Sequence, residues 1–460
     1  MKYLSILCLA AIVIANAQTS INELQKHPEF TASNYALYPE PGKDVKLTKA
    51  PAGYKPFYIS HYGRHGSRYH NNSDEYKYLF ETLAKADSVN ALTATGKKVL
   101  SAAQFLVQNA EPRTGDLTQV GVRQHQGIAT RMQKNFPEIF RTQNIKGKQT
   151  TPHIDIFAST SGRCIVSMAA FTGVILSRYP DLDIRYESGK SLLKFICPFN
   201  WNDLEYSKAK AYTDESDKLW KNVDSKPLMK KIFSDSIYVK SNIDADNFYN
   251  RLFEINTNTM NLDSSFIKGL NAASNGIMDS LFTVEESITR WKAQNAWWYS
   301  IMGTSPLIAS THGIDFGKNT LKNILDEADK AIAIDTSSTI ANDEKPITAT
   351  LRFGHDTGLL PLTGLMQLDF ASAKVSDLSK LHEQWTDFRI IPMAANLQIV
   401  FYKSTKKGAP ILVKFLYNER EVAIPLPCSA EAKCPYYKWE DVKAFYLDIL
   451  GVKAANISQK

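Results

Sequence analysis

The order of strand-like and helix-like stretches predicts an α/β fold. It has a central mixed sheet flanked by helices and an inserted, mainly α-helical cap domain. Three observations carry this reading. Short β-rich runs at 57–61, 154–158 and 347–353 are each followed at once by turn or helix-start residues. The middle, 185–340, is built of long amphipathic stretches with few β-branched runs between them. The tail returns to strand patterns from about 397 onward.

Taken in order, residues 1–17 read as a secretory signal. Lys2 gives the positive start, 4–14 the apolar stretch, and Ala15-Asn16-Ala17 a small-residue cleavage site before Gln18. The alternative is a membrane anchor, but the stretch falls short of the ~20 residues that span a bilayer. Residues 18–50 form a polar, irregular lead-in with Pro39, Pro41 and Gly42. A strand follows Pro56 at 57–61. Another at 154–158 runs into Ser159-Thr160-Ser161-Gly162, which offers helix N-cap residues. A helix fits 163–178, with Ile165, Met168, Ala169, Thr172, Ile175 and Leu176 near one face. After the strand at 347–353, residues 358–362 suit a helix entered through Pro361 in its first turn. In the middle, 246–255 and 264–281 are amphipathic and 291–299 is Trp-rich. Strands at 397–402 and 411–416 and a helix over 439–450, with Asp441 in its first turn, complete the chain. The expected division is a signal at 1–17, an α/β core from 18–184 and 341–460, and a cap at 185–340.

Composition narrows the function classes. The 460 residues carry 54 Lys+Arg and 47 Asp+Glu, a formal charge of +7, with 44% hydrophobic and 22% charged residues. That is globular, neither disordered nor collagenous. The small basic excess is scattered, so no nucleic-acid partner is expected. No second long apolar run follows the first, so no integral membrane segment is expected after cleavage. Removal of the signal takes Cys8 and leaves Cys164, Cys197, Cys428 and Cys434. Export permits disulfides. Cys428 and Cys434 are expected to pair, with a Cys164–Cys197 bridge as a further possibility beside two buried free thiols.

The chemistry concentrates at three strand ends. Gly63-Arg64-His65-Gly66-Ser67-Arg68 puts two arginines around a histidine directly after a strand. Guanidinium forks bind phosphate oxygens in pairs, and an imidazole nitrogen between them is a competent nucleophile toward phosphorus. Arg163 stands in the first turn of a helix, where free N–H groups also favour an anion. His355 and Asp356 end the third strand, and a carboxylic acid there can protonate a leaving oxygen. The spacing of His61, His65 and His70 also admits a zinc reading, but no second ligand set accompanies it and two arginines would face the metal.

Arg64-His65-Gly66-x-Arg68 and His355-Asp356 resemble the two signatures of the histidine acid phosphatase and phytase family, branch 2 of the histidine phosphatase superfamily. Residues 115–121 resemble its LTxxG segment, and 159–169 its Arg-bearing segment. Residues 351–355, 394–397 and 416–422 are similar, more narrowly, to the multiple inositol-polyphosphate phosphatases. The likeness spans about 55–425. It implies the histidine phosphatase fold, with the pocket between an α/β sandwich and a helical cap. It implies that His65 forms a phosphohistidine, that Arg64, Arg68, Arg163 and His355 hold the phosphate, and that Asp356 protonates the leaving alcohol. It implies no metal and no cofactor. Two positions depart from the pattern. The inositol-polyphosphate branch typically reads His-Ala-Glu where this chain has His355-Asp356-Thr357, so the donor is shorter and one position earlier. His70 stands where family members often have Pro, and it is assigned no role.

The expected partner is an anionic phosphomonoester, with phytate or lower inositol phosphates first. Lys190, Lys194, Arg290 and Lys292 are candidate extra cations for such a polyanion. A broad acid phosphatase on sugar phosphates, a phosphomutase and a non-catalytic phosphate-binding scaffold are the rival readings. An exported, periplasmic or secreted location goes with the signal.

Overall fold

The strands fix the position of everything else. A computed structural model describes residues 21–145, 148–199, 214–305, 312–336, 345–430 and 434–452. The expected signal at 1–17 therefore lies outside the described residues. The main sheet has eight strands: β1 (Tyr54–Arg64), β2 (His153–Ala158), β3 (Asp183–Ser188), β4 (Ile347–Gly354), β5 (Asn396–Ser404), β6 (Leu412–Tyr417), β7 (Arg420–Val422) and β8 (Tyr437–Lys438). Their order is β8-β6-β5-β1-β4-β2-β3, with β7 paired to β6. β1, β4, β2 and β3 are parallel neighbours, and the pairs on the other side of β1 are antiparallel. The sheet is mixed, as expected from the sequence.

Register aligns the site. Arg64 pairs with Gly354, and Ala158 with Phe353, so β1, β4 and β2 end level. The ladder runs one residue further: the His65 N–H donates to the Gly354 carbonyl at 2.9 Å, and the Ser159 N–H to that of Phe353 at 2.9 Å. His65, Ser159 and His355 thus leave the sheet side by side at its carboxyl edge, where open α/β sheets bind ligands.

Strand alternation sends successive side chains to opposite faces. Tyr58 and Tyr62 of β1 join one core with Leu397, Phe401 and Phe415, whereas Ile59 joins the other with Ile154, Ile156, Leu351 and Phe353. Helices cover both faces. The Ile59 side receives Ile128 and Met132 of α3 (Gln119–Asn135) and Met168, Phe171 and Ile175 of α4 (Gly162–Arg178). The Tyr62 side receives Ala296 and Trp298 of α7 (Val284–Met302), Leu321 and Leu325 of α8 (Lys318–Thr336), Leu359 and Leu362 of α9 (Asp356–Leu365), and Val442 and Tyr446 of α10 (Trp439–Ile449).

A separate helical core has its own composition. It gathers Leu79 and Leu83 of α1 (Ser73–Ser88), Val99 and Leu106 of α2 (Ala94–Asn109), Phe248 and Leu252 of α5 (Ala245–Asn258) and Leu270 of α6 (Ser264–Ser274). The buried positions of α1 recur at three- and four-residue spacing, and Asn72 caps the helix by accepting the Asp74 N–H at 3.0 Å.

Local expectations change in four places. Pro361 lies inside α9 as its sixth residue, because the helix already starts at Asp356 with His355 as N-cap. The buried face of α4 is Cys164, Ser167, Met168, Phe171, Thr172 and Ile175, while Ile165 is 37% exposed. That rotation turns Ser167 toward the loop that follows β1. β3 is not expected from the sequence, because Asp183, Arg185 and Glu187 give it the charged pattern of a sheet edge. Cys428 and Cys434 are bridged as expected, whereas Cys164 and Cys197 are free. Among the described residues no helix is long and apolar enough to cross a membrane.

Candidate active site

The loop after β1 is held from below by its own backbone. The Arg64 N–H donates to the Ala395 carbonyl at 2.8 Å, and the Ala394 N–H to that of His65 at 3.0 Å. Ala394 adopts a left-handed φ of 56° to do so. Asn396 and Asn418 brace this turn, the Asn418 side chain accepting the Asn396 N–H at 3.0 Å. Behind them the buried Glu419 carboxylate accepts from Tyr38 at 2.7 Å and twice from Arg131 at 2.8 Å. The 394–397 and 416–422 stretches therefore underlie the site and do not line a separate one.

From the side, α3 presses its N-terminus on the loop. Thr118 caps α3 and accepts the Gly121 N–H, and its own N–H donates to the Ser67 carbonyl at 2.9 Å. A Cβ on Gly66 would stand 2.6 Å from the Gly121 Cα, and one on Gly121 would stand 2.3 Å from the Ser67 carbonyl oxygen. Only glycine fits at either position. Gln124 clamps Ser67, accepting its N–H at 2.8 Å and donating to its hydroxyl at 2.9 Å. Ser167 of α4 accepts the Gly66 N–H at 3.2 Å.

This frame sets the histidine tautomer. His65 Nδ1 lies 2.9 Å from the Gly66 carbonyl oxygen, which can only accept. The proton therefore sits on Nδ1, and Nε2 keeps its lone pair. Burial, and then the charges of Arg163, Arg64 and Arg68, hold the His65 pKa well below its ordinary value, so the ring is neutral.

The sequence-predicted cations converge around it. Arg64 is fully buried; its Nη1 donates to the carbonyls of Asn34 and Ile391, and its Nη2 lies 2.8 Å from Asp356 Oδ2. Arg68 donates to the Tyr69 carbonyl at 3.0 Å and lies 5.1 Å from the centre of the Tyr35 ring. Arg163 Nη2 is 3.5 Å from His355 Nδ1. Ser159 fixes the His355 ring through Nε2 at 2.9 Å. The His65 and His355 rings meet edge to face with centroids 5.5 Å apart. The Nε groups of Arg64, Arg68 and Arg163 are buried with no hydrogen-bond partner among the described residues. Buried unpartnered donors on three cations form a site made for an anion.

Asp356 is the carboxylate against this cluster. Oδ1 accepts the Thr357 N–H at 2.9 Å, and Oδ2 faces Arg64 and accepts from Asn34 at 3.0 Å. Burial pushes its pKa up, but Arg64, Asn34 and Arg68 outweigh that and bring it down to about 2. All six predicted side chains thus share one locus.

The other sequence candidates separate. Arg290 is buried against Phe253 and paired with Glu254 at 3.1 Å and Asn250 at 3.0 Å. Lys190 and Lys194 are exposed, and Lys292 is half-buried. Lys194 borders a cavity with Asn319, Lys322 and Asp326 that none of the six residues lines. The histidines of the zinc reading face different surroundings. His61 packs on Phe171 and Phe353, His65 turns to the Gly66 carbonyl, and His70 stacks on Tyr35 and lies 3.7 Å from Glu254. Among the described residues, no group of three or more His, Cys, Asp or Glu side chains is arranged for a metal ion.

Asn34, Tyr35, Ser159 and Ser167 were not legible as site residues. Asn34 and Tyr35 belong to the lead-in, where no periodicity or motif marks them. Ser159 has the residue type of a cap, but no side chain caps α4; its hydroxyl instead takes the Ser161 N–H at 3.3 Å and meets His355.

The comparisons agree with this geometry. The family model described as histidine phosphatase superfamily (branch 2) matches residues 63–418. Multiple inositol polyphosphate phosphatase 1 of Gallus gallus is 24% identical over 430 residues, covering 89% of this chain and 85% of that protein. The multiple inositol polyphosphate phosphatase of Bifidobacterium longum, solved in complex with inositol hexasulfate, is similar in fold. Its TM-score is 0.71 at 18% identity, with 90% of this chain and 97% of that one covered. The phytase of D. castellii gives 0.60 at 16% identity, covering 92% and 88%. The chain belongs to branch 2 of the histidine phosphatase superfamily and is a phosphoric monoester hydrolase.

Proposed function

We propose that the protein hydrolyses inositol polyphosphates, phytate among them, through a phosphohistidine at His65. The carrying observation is the free Nε2 of a neutral His65 amid the unpartnered Nε groups of Arg64, Arg68 and Arg163. In the first step Nε2 attacks phosphorus in line, an N–P bond forms and the P–O ester bond breaks. Arg64, Arg68 and Arg163 neutralise the charge that builds on the phosphoryl oxygens. His355, its ring fixed by Ser159 at Nε2 and beside Arg163, lines the same oxygens. Asp356 gives its proton to the leaving alkoxide. In the second step Asp356 takes a proton from water, the resulting hydroxide attacks phosphorus, and the N–P bond breaks. Inorganic phosphate leaves and His65 is restored. The low pKa of Asp356 belongs to the free site; a bound phosphate dianion raises it into the donor range.

The names of the relatives support inositol phosphates as substrates, and the signal-like residues 1–17 support export. A cap over 185–340 remains part of the reading, and the shared core of α5 and α6 with α1 and α2 supports a helical layer that also takes in residues 73–109. A broader range of monoesters is the second reading, favoured because Glu254 already neutralises Arg290, one of the expected extra cations.

Phosphate release from phytate and from p-nitrophenyl phosphate tests the reading. We expect His65→Ala to lose at least about 10³-fold on both substrates. Asp356→Asn should lose about 10²-fold or more on phytate and far less on the aryl ester, whose leaving group needs no proton. Full activity in His65→Ala would refute the mechanism.

A further inference from the structure

The proton-donor side of the site is reached by a segment outside every catalytic motif. Asn34 Nδ2 donates to Asp356 Oδ2 at 3.0 Å, and the Asn34 carbonyl accepts from Arg64 Nη1. We propose that Asn34 is a positioning residue for the proton donor, and that the turn Ser33-Asn34-Tyr35 is clamped from both sides for that purpose. The proposal rests on the reading of Asp356 as the donor.

Each residue of the turn is tied down separately. Ser33 adopts φ 60° and ψ −125°, a backbone region that costs energy for a residue with a Cβ. It is held there by a hydrogen bond from its hydroxyl to Asp387 Oδ2 at 2.5 Å. Asp387 is itself buried and fixed: Oδ1 accepts from Trp291 Nε1 at 2.9 Å, and its N–H donates to the Asn295 side chain at 2.8 Å. On the other side, the Tyr35 carbonyl accepts from Asn261 Nδ2 at 2.9 Å, and Asn261 Oδ1 accepts from the Ser67 hydroxyl at 2.6 Å. The Tyr35 ring lies beneath Arg68. A strained turn anchored on the α7 side and on the catalytic loop therefore spans the site and places one amide against the donor carboxylate.

The geometry explains what that amide does. Asp356 Oδ1 is taken by the Thr357 N–H, so rotation about the carboxyl is limited by what holds Oδ2. Arg64 alone would hold Oδ2 from one direction only. Asn34 adds a neutral donor from a second direction and fixes the plane of the group. A residue that acts this way matters in proportion to the need for proton donation.

The test compares glycerol phosphate, a poor leaving group, with p-nitrophenyl phosphate. It uses wild type, Asn34→Ala, Asp356→Asn and the double variant, with thermal melts of each. Asn34→Ala is expected to lose about 10-fold more kcat on glycerol phosphate than on the aryl ester. It is expected to add almost nothing on glycerol phosphate in the Asp356→Asn background. Ser33→Ala, which removes only the anchor, should show the same selectivity in smaller measure. Equal losses on both substrates, or full additivity with Asp356→Asn, would overturn the proposal. If Asp356→Asn itself shows no selectivity for the poor leaving group, the donor reading falls and this proposal falls with it. If Asp356→Asn is selective and Asn34→Ala is not, only this proposal falls.

Discussion

In the free site the protein holds both His65 and Asp356 without their titratable proton. Burial and three guanidinium charges keep His65 neutral, and Arg64 with Asn34 keeps Asp356 ionised down to about pH 2 in the free site. A phosphomonoester then enters as its monoanion and passes its proton to Asp356, leaving the bound dianion that raises the Asp356 pKa, and its second ionisation lies near pH ~6. On the proposed mechanism, kcat/KM should be level from about pH 5 to 6 and fall close to 10-fold per unit above that. A pH–rate profile on an alkyl phosphate checks this; a kcat/KM that rises through pH 7 to 8 would contradict the assigned states. At this scale the sequence was informative where types cluster. Arg64, His65 and Arg68 declare an anion site because no structural role calls for that density of cations beside a histidine. Asn34 was silent, because one amide in a polar lead-in looks like any turn residue, and its partner Asp356 is 322 residues away.

The element that matters most to the site is α3. Its first turn packs against the loop after β1 through two glycines with no room for a methyl group. Gly121→Ala would push a Cβ into the Ser67 backbone, so it should cost about 1–3 kcal/mol and lower kcat together with Tm. On the same helix, a Cβ on Gly127 would meet only the ends of the Arg131 and Glu40 side chains and no backbone, so Gly127→Ala should cost far less than Gly121→Ala in Tm. Thermal melts and rates of the two variants check the contrast, and equal effects would mean that the packing of α3 does not set the loop. Strands β1, β2 and β4 were legible because their apolar and β-branched runs stop at turn residues. The edge strand β3 was not, because a sheet edge carries charges that read as loop. Pro361 points to a first turn near 358–362, whereas α9 is entered from His355.

For the molecule as a whole, the sheet order explains why residues 65, 163 and 355 meet. Four parallel strands end level, and the turns after three of them point into one space. That convergence was readable as a pattern of strand ends before any contact was known. The helical layer was harder. Its amphipathic middle was visible, yet α1 and α2 share a hydrophobic core with α5 and α6, while α8 packs on the sheet. Periodicity shows that a helix has an apolar face and leaves open which partner covers it. Charge was the least telling quantity: the +7 is spread over the chain, and the cations that count are three arginines at strand and helix ends. The central claim is that those ends build a phosphohistidine enzyme. Rapid quench of the protein with a radiolabelled phosphomonoester, followed by peptide mapping, tests it most directly. The account predicts an acid-labile, base-stable phosphoryl group on the peptide containing His65, absent in His65→Ala. A label on any other residue, or turnover with no labelled histidine at any time, would contradict it.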